Sequence, residues 1–162
     1  MRNNKSVVAI LCMLGGCGGS DDSAHTNQLT ITAADGTHTV DLTELQLLGD
    51  ATQRFWNFFG RGTTVGGVTG SVQISLTFDV DMTLRARDYV CGLAPYTMDV
   101  NVDDRGTPYR TGTTVGFGTC ELIVNNLAAT GEVMSVSFTA MPGDGTKFVT
   151  VSAVLEAPRS TP

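Results

Sequence analysis

Residues 72–86 read VQISLTFDVDMTLRA, and apolar and polar side chains alternate at every position. This is the period of a β-strand, because a helix with 3.6 residues per turn would mix the two sets on each of its faces. Fully extended, the stretch would reach about 50 Å, well beyond the length of a usual strand. The pattern therefore predicts β-structure with a bend, a bulge or a turn near Asp79–Asp81.

A second alternating pattern flanks Asp35-Gly36 and predicts a β-hairpin. Asp-Gly supplies the positive φ angles that a type I′ turn requires at both of its central residues. With these two residues in the turn, Ile31 lies opposite Val40. Leu29 then lies opposite Leu42, and all four side chains share one face of the hairpin.

The rest of the chain continues the pattern of strands and turns, without a convincing helix. Weaker strands are predicted at 96–102, 120–127, 133–141 and 147–155, separated by Gly, Asp and Pro turn signals. The predicted fold is all-β, an antiparallel β-sandwich, with a lipocalin-like closed β-barrel as the alternative. We expect a single β domain over residues 28–156 and a flexible tail over residues 157–162.

The N-terminus carries a short targeting segment. Arg2 and Lys5 precede the apolar run 7–14, which is too short to span a bilayer, and the run ends in Leu14-Gly15-Gly16-Cys17. This arrangement resembles the lipobox of bacterial lipoproteins, with Leu at −3, small residues at −2 and −1, and Cys at +1. The resemblance implies that residues 1–16 are a signal peptide and that the new terminal Cys17 is acylated. Residues 17–27 then form the lipidated cysteine and a flexible tether.

The same resemblance implies a location in the cell envelope. Bacterial lipoproteins carry two or three long acyl chains, such as palmitate, and more than one chain makes membrane attachment stable. Gly18 stands where an Asp acts as an inner-membrane retention signal in enteric bacteria, so the analogy favours the outer membrane. An ordinary signal peptide with an incidental cysteine is the alternative.

The charge balance excludes one class of partner. The chain has 162 residues and a net charge of −6, and loss of the signal peptide removes the positive charges of Arg2 and Lys5. Nucleic acids demand clustered Lys and Arg, so we predict no nucleic-acid partner.

The cysteines predict a disulfide bond. Of the four, Cys12 leaves with the signal peptide and Cys17 is taken by lipid. Cys91 and Cys120 then remain in an oxidising compartment, where thiols normally pair. A metal site and a catalytic thiol are the alternatives, but neither cysteine belongs to a Cys-x-x-Cys pair.

Two groups of carboxylates are candidates for chemistry. Asp79 and Asp81 share one face of the alternating stretch, where they suit acid–base work or a solvated sheet surface equally well. Asp99–Asp103 has the spacing that opens a calcium loop. The pattern then fails, because Asp104 replaces the turn glycine and Arg110 replaces the bidentate glutamate. We therefore predict no metal site and no cofactor.

The aromatic cluster is the candidate binding surface. In a strand, Trp56 and Phe58 point to one face while Phe55 and Phe59 point to the other. If the Trp56 face is exposed, it can stack on a sugar or contact a protein partner. The alternative is that these side chains belong to the core.

The C-terminal part resembles small uncharacterised bacterial lipoproteins with a β-sandwich fold. The resemblance rests on a strand that begins with a cysteine, a second strand after a Gly-Glu pair and a terminal strand: Cys120–Val124, Gly131–Val133, Phe138–Ala140 and the strand from Lys147. It implies a fold and no activity.

No motif of an enzyme family is present, such as Gly-x-Ser-x-Gly, His-Glu-x-x-His or a Walker loop. We therefore predict no catalytic residues and a non-enzymatic binding or structural module, anchored to the membrane by Cys17, with an unknown protein or glycan partner. Two alternatives stay open: a hydrolase that uses strand-borne carboxylates, and a barrel that carries a small apolar ligand.

Overall fold

Ten strands form one hydrogen-bonded sheet in the computed structural model, which describes residues 26–49, 54–64, 66–79 and 84–160. The strands are β1 (Gln28–Ala33), β2 (Gly36–Leu48), β3 (Phe55–Thr63), β4 (Thr69–Phe78), β5 (Asp88–Val90), β6 (Tyr96–Asp104), β7 (Thr107–Gly112), β8 (Thr119–Asn126), β9 (Val133–Met141) and β10 (Thr150–Ser160). The prediction of an all-β chain is confirmed.

The order of the strands is β5-β8-β9-β10-β1-β2-β3-β4-β6-β7, and neighbours run antiparallel, apart from a short parallel contact between the ends of β10 and β2. The two outermost strands, β5 and β7, do not pair with each other, so the sheet is open and the closed barrel is not indicated. Within the described ranges, no helix is long and apolar enough to cross a bilayer.

The sheet buries one face. Along β4, the apolar members of the alternating stretch lie in the core, and the polar members between them point outward. The same alternation runs through β6, β9 and β10. β4 ends at Phe78, immediately before Asp79, where the sequence predicts an interruption; residues 80–83 lie outside the described residues.

The first hairpin forms in a different register from the predicted one. Leu29 pairs with Val40 rather than Leu42, because the two turn residues are Ala34-Asp35 rather than Asp35-Gly36. A type I′ turn needs positive φ at both central positions. Of Asp35 and Gly36, only Gly36 has a positive φ, so these two residues do not form such a turn. The shift is two residues, so each side chain keeps its face and the core is unchanged.

Two glycines let strands approach closely at one end of the sheet. Gly62 of β3 pairs with Gly70 of β4. A Cβ on Gly62 would overlap the backbone oxygen of Asp41, and one on Gly70 would lie 2.8 Å from a methyl carbon of Val40. The start of β2 therefore packs directly against the β3–β4 pair, as glycines in strands often permit.

Both outer edges of the sheet are hydrogen-bonded within the chain. On β5, the hydroxyl of Tyr96 accepts from the N–H of Val90 (2.7 Å) and donates to its carbonyl (3.1 Å). On β7, the backbone of Arg110 exchanges two hydrogen bonds, of 2.8 and 2.9 Å, with that of Gly143. These contacts occupy the edge groups that would otherwise pair with another chain.

The predicted disulfide between Cys91 and Cys120 is confirmed. Cys91 directly follows β5, Cys120 lies in β8, and their Cα atoms are 5.2 Å apart. The bond spans 29 residues of sequence, a loop whose closure stabilises the folded state by roughly 3–4 kcal/mol in the chain-entropy model.

The predicted flexible tail is wrong for residues 157–160, because β10 continues to Ser160. The side chain of Arg159 is buried there, and it donates to the carbonyls of Gly49 (3.1 Å) and Ala128 (2.7 Å). These hydrogen bonds connect the end of β10 to Gly49, directly after β2, and to Ala128, between β8 and β9. Thr26, the first described residue, bridges to Val154, so the domain includes residues that were assigned to the predicted tether.

We expect Gly62→Ala to lower the free energy of unfolding by about 1–3 kcal/mol or more, because the added methyl group overlaps backbone that cannot rotate away. Gly66→Ala is the matched control, since its Cβ would meet only the Thr64 hydroxyl oxygen, at 3.7 Å. Urea denaturation measures both variants. Equal losses in the two would contradict the close approach of β2 to β3.

Candidate functional site

Trp56 and Phe58 lie in the core, so the interpretation of these two side chains as a binding surface is corrected. Both are fully buried, and their rings stack with centroids 6.3 Å apart. The reason is that β3 is a central strand, with β2 and β4 on either side, and turns this face inward. On the opposite face Phe55 is 48% exposed.

Trp56 also has a cation beside it. The guanidinium carbon of Arg159 lies 4.9 Å from the centre of the indole ring. The indole N–H is buried and has no acceptor among the described residues. This end of the core therefore combines a buried cation with an aromatic face, which stabilises the charge of the arginine.

The structure describes only some of the sequence-predicted carboxylates. Asp79 is exposed just after β4, and Asp81 lies outside the described residues. Asp99 accepts a hydrogen bond from the N–H of Thr114 (2.9 Å), which ties β6 to the segment after β7. Within the described ranges, no group of three or more His, Cys, Asp or Glu side chains is arranged to hold a metal ion.

Cys17 and the whole lipobox lie in residues 1–25, outside the described residues. The lipidation site therefore stays a prediction.

A polar cluster that the sequence did not single out lies at the turn between β6 and β7. Arg105 and Gly106 form this turn, and both have positive φ (55° and 80°), as a type I′ turn requires. Asp103 supports the turn by accepting a hydrogen bond from the Gly106 N–H (3.0 Å). The turn places Asp104 at the end of β6 on the buried face and Arg105 beside it at the surface.

The carboxylate of Asp104 is only 3% exposed and accepts three hydrogen bonds. His38 Nε2 lies 2.9 Å from Oδ1, Arg105 Nε lies 3.2 Å from Oδ1, and Arg105 Nη2 lies 3.1 Å from Oδ2. A buried charge needs such partners to offset its lost hydration. The hydrogen bond to Asp104, followed by its negative charge, raises the pKa of Arg105.

This network determines which nitrogen of His38 carries the proton. A carboxylate held by a guanidinium through both oxygens is ionised and can only accept hydrogen bonds. His38 Nε2 must therefore be the donor to Asp104. In the neutral ring, Nδ1 is then left as a hydrogen-bond acceptor.

His38 and Arg105 open onto a cleft of about 380 Å³, a size typical of small-molecule sites. The residues that line it are His38, Thr39, Thr64, Gly66, Val68 and Arg105. The Thr64 hydroxyl oxygen accepts from the Val68 N–H (3.2 Å), so its own proton is free to be donated elsewhere. We call this site the His38 cleft.

Further polar groups lie near the same end of the sheet. Burial, followed by the negative charges of Asp144 and Asp104, raises the pKa of Tyr109, which keeps the phenol neutral at physiological pH. Hydrogen bonds from the backbone of Thr146 and Lys147 lower the pKa of Asp144. The end of the sheet around the cleft therefore has the neutral phenol of Tyr109, several carboxylates, and Arg105 in its pair with Asp104.

Sequence reasoning missed this cluster because its members are distant in the chain. His38 and Asp104 are separated by 66 residues, and β3 and β4 lie between their strands in the sheet. One signal was present: His38 occupies an apolar-face position in the alternation that continues with Val40 and Leu42. An imidazole at such a position needs a polar partner inside the fold.

An apolar patch lies at the surface, near Gly143. Phe117 and Phe148 pack edge to face, with centroids 6.2 Å apart, and the Met141 side chain is also exposed. Nothing among the described residues covers these side chains.

No protein-family model, curated protein or solved structure matches this chain.

We expect Trp56→Ala to cost about 3–5 kcal/mol of stability, because it removes a fully buried ring from the core. Phe55→Ala, at the exposed neighbouring position, is the matched control and should cost much less. Denaturant unfolding compares the two. Trp56 is the only tryptophan, so its emission should also be blue-shifted and resist quenching by acrylamide; strong quenching would contradict its burial.

We expect Asp104→Asn to lower stability by about 1.5–3 kcal/mol, since it leaves Arg105 without its charged partner and weakens the bond to His38. Asp88→Asn, at an exposed position of β5, is the control and should change stability by less than about 0.5 kcal/mol. Thermal and urea unfolding measure both. Similar losses of stability in the two variants would contradict a stabilising role for the hydrogen bonds of Asp104.

Proposed function

We propose that this chain is an envelope lipoprotein, held to the membrane by acyl chains on Cys17, whose β domain is a non-enzymatic binding module. The anchor rests on Leu14-Gly15-Gly16-Cys17. Nine residue steps separate Cys17 from Thr26, where the domain begins, so a fully extended tether would reach roughly 30 Å. The domain would then work close to the membrane surface, with the outer membrane as the favoured site.

The observation that supports binding is the His38 cleft. It is open to solvent and presents an imidazole, a guanidinium and two hydroxyl groups within one concave surface. The core positions of the sheet hold large side chains, including Trp56 and Phe58. We therefore favour the surface cleft over an interior apolar cavity, such as a carrier protein would need, as the place where a ligand binds.

We further propose that the single sheet folds over into two packed layers, as in a sandwich. The backbone bonds between Arg110 and Gly143 bring β7 to the connection between β9 and β10. The Thr111 hydroxyl also donates to the carbonyl of Phe117 (2.7 Å), just before β8. Both contacts join parts that are far apart in the strand order, as two layers of one sheet would be.

The second candidate is a hydrolase, and the His38–Asp104 pair is the observation that favours it. A histidine oriented by a buried carboxylate is the arrangement used by many general bases. The hydroxyls that line the cleft belong to Thr39 and Thr64. Thr64 accepts a hydrogen bond from the backbone of its own loop, and neither threonine is bonded to His38. For this reason we place binding first.

The anchor is tested with Cys17→Ser in the full-length chain. We expect the wild-type protein to sediment with the envelope and to carry the mass of its acyl chains, and the variant to lose both properties. Cys12→Ser, five residues earlier in the apolar run, is the matched control and should stay in the membrane. The anchor is refuted if Cys17→Ser still sediments and the wild type carries no acyl mass.

A further inference from the structure

We infer that the His38 cleft binds a neutral sugar through paired hydroxyl groups. This inference rests on the proposed function, because it names the ligand class of the binding module. It is based on the hydrogen-bonding groups of His38 and Arg105 that are not used in their bonds to Asp104.

The first group is an acceptor. Asp104 holds His38 by Nε2, so the neutral ring has its lone pair at Nδ1. Nδ1 has no hydrogen-bond partner among the described residues, and the ring is 26% exposed in the wall of the cleft. The cleft thus has one nitrogen acceptor whose orientation is fixed from behind by a buried carboxylate.

The second group is a donor. Arg105 uses Nε and Nη2 to bind Asp104, and its Nη1 has no partner within the described part of the chain. The free proton of the Thr64 hydroxyl is a further donor, because the oxygen already accepts from Val68. A donor and an acceptor on neighbouring side chains match two adjacent hydroxyl groups, each of which both donates and accepts.

The charges favour a neutral ligand over an ion. The positive charge of Arg105 is offset by Asp104, to which it is bonded through both carboxylate oxygens, and Asp35 lies 3.9 Å from its Nη2. The oxygens of Asp104 are already occupied, which leaves little capacity for a cation. An anion would be repelled by the negative charge of Asp35, which is the nearest charge left without a compensating partner. A polyhydroxyl molecule needs neither charge, and Val68 adds an apolar contact for the face of a ring.

The experiment titrates the purified full-length protein with D-glucose, N-acetyl-D-glucosamine and D-glucuronate, while NMR follows the imidazole signals of His38. We expect saturable shifts with at least one of the two neutral sugars at pH 7.5. Tighter binding of glucuronate than of both neutral sugars would overturn the inference, as would the absence of a saturable shift with all three.

His38→Gln separates a binding role from a structural one. The glutamine amide can still donate to Asp104 in place of Nε2, but its acceptor oxygen Oε1 is bonded to the same carbon as the donor nitrogen and does not reach the position of Nδ1. We expect this variant to keep its melting temperature within a few degrees and to lose sugar binding by about tenfold. If it unfolds, Thr39→Ala replaces it, with Thr77→Ala on the exposed side of β4 as the matched control.

Unchanged affinity in a folded His38→Gln variant, or equal effects of Thr39→Ala and Thr77→Ala, would overturn the inference. Failure of the anchor is seen separately, because membrane fractionation of Cys17→Ser does not depend on the cleft. A protein that binds sugar but does not sediment with membranes would leave this inference standing and refute the anchor.

Discussion

One constraint shapes this molecule: a single sheet has an apolar face, and within the described residues only the sheet itself is available to cover it. In most domains a second layer of helices or strands buries such a face. Here ten strands follow one another in one open order, and the first and last parts of that order approach each other.

The paired glycines, Gly62 and Gly70, occur where β2 packs closely against β3 and β4. Side chains at these positions would hold the start of β2 away from β3 and β4. Because the strands approach, His38 of β2 meets Asp104 of β6, although two strands separate them in the sheet. The cleft is thus a consequence of the fold: it lies where His38 of β2 and the turn after β6 come together.

Asp104 determines both the stability of this cluster and the orientation of its side chains. A buried carboxylate is costly unless its charge is paired, and Arg105 and His38 pair it. The same bonds hold the two side chains in fixed orientations and leave one acceptor and one donor toward the cleft. Preorganised groups of this kind bind a ligand with less loss of conformational entropy.

The amino-acid sequence by itself determined most of the strands, the buried face and the disulfide, because the strands follow a period of two residues and the disulfide was predicted by counting the cysteines that the predicted lipobox does not use. It did not determine the hairpin register, since Asp35-Gly36 can lie in two turns that differ by two residues and leave the core unchanged. The sequence also left open whether Trp56 was core or surface. Only the tertiary structure decided these points and joined His38 to Asp104, because contacts between distant residues arise from the curvature of the whole sheet and leave no periodic signal in the chain.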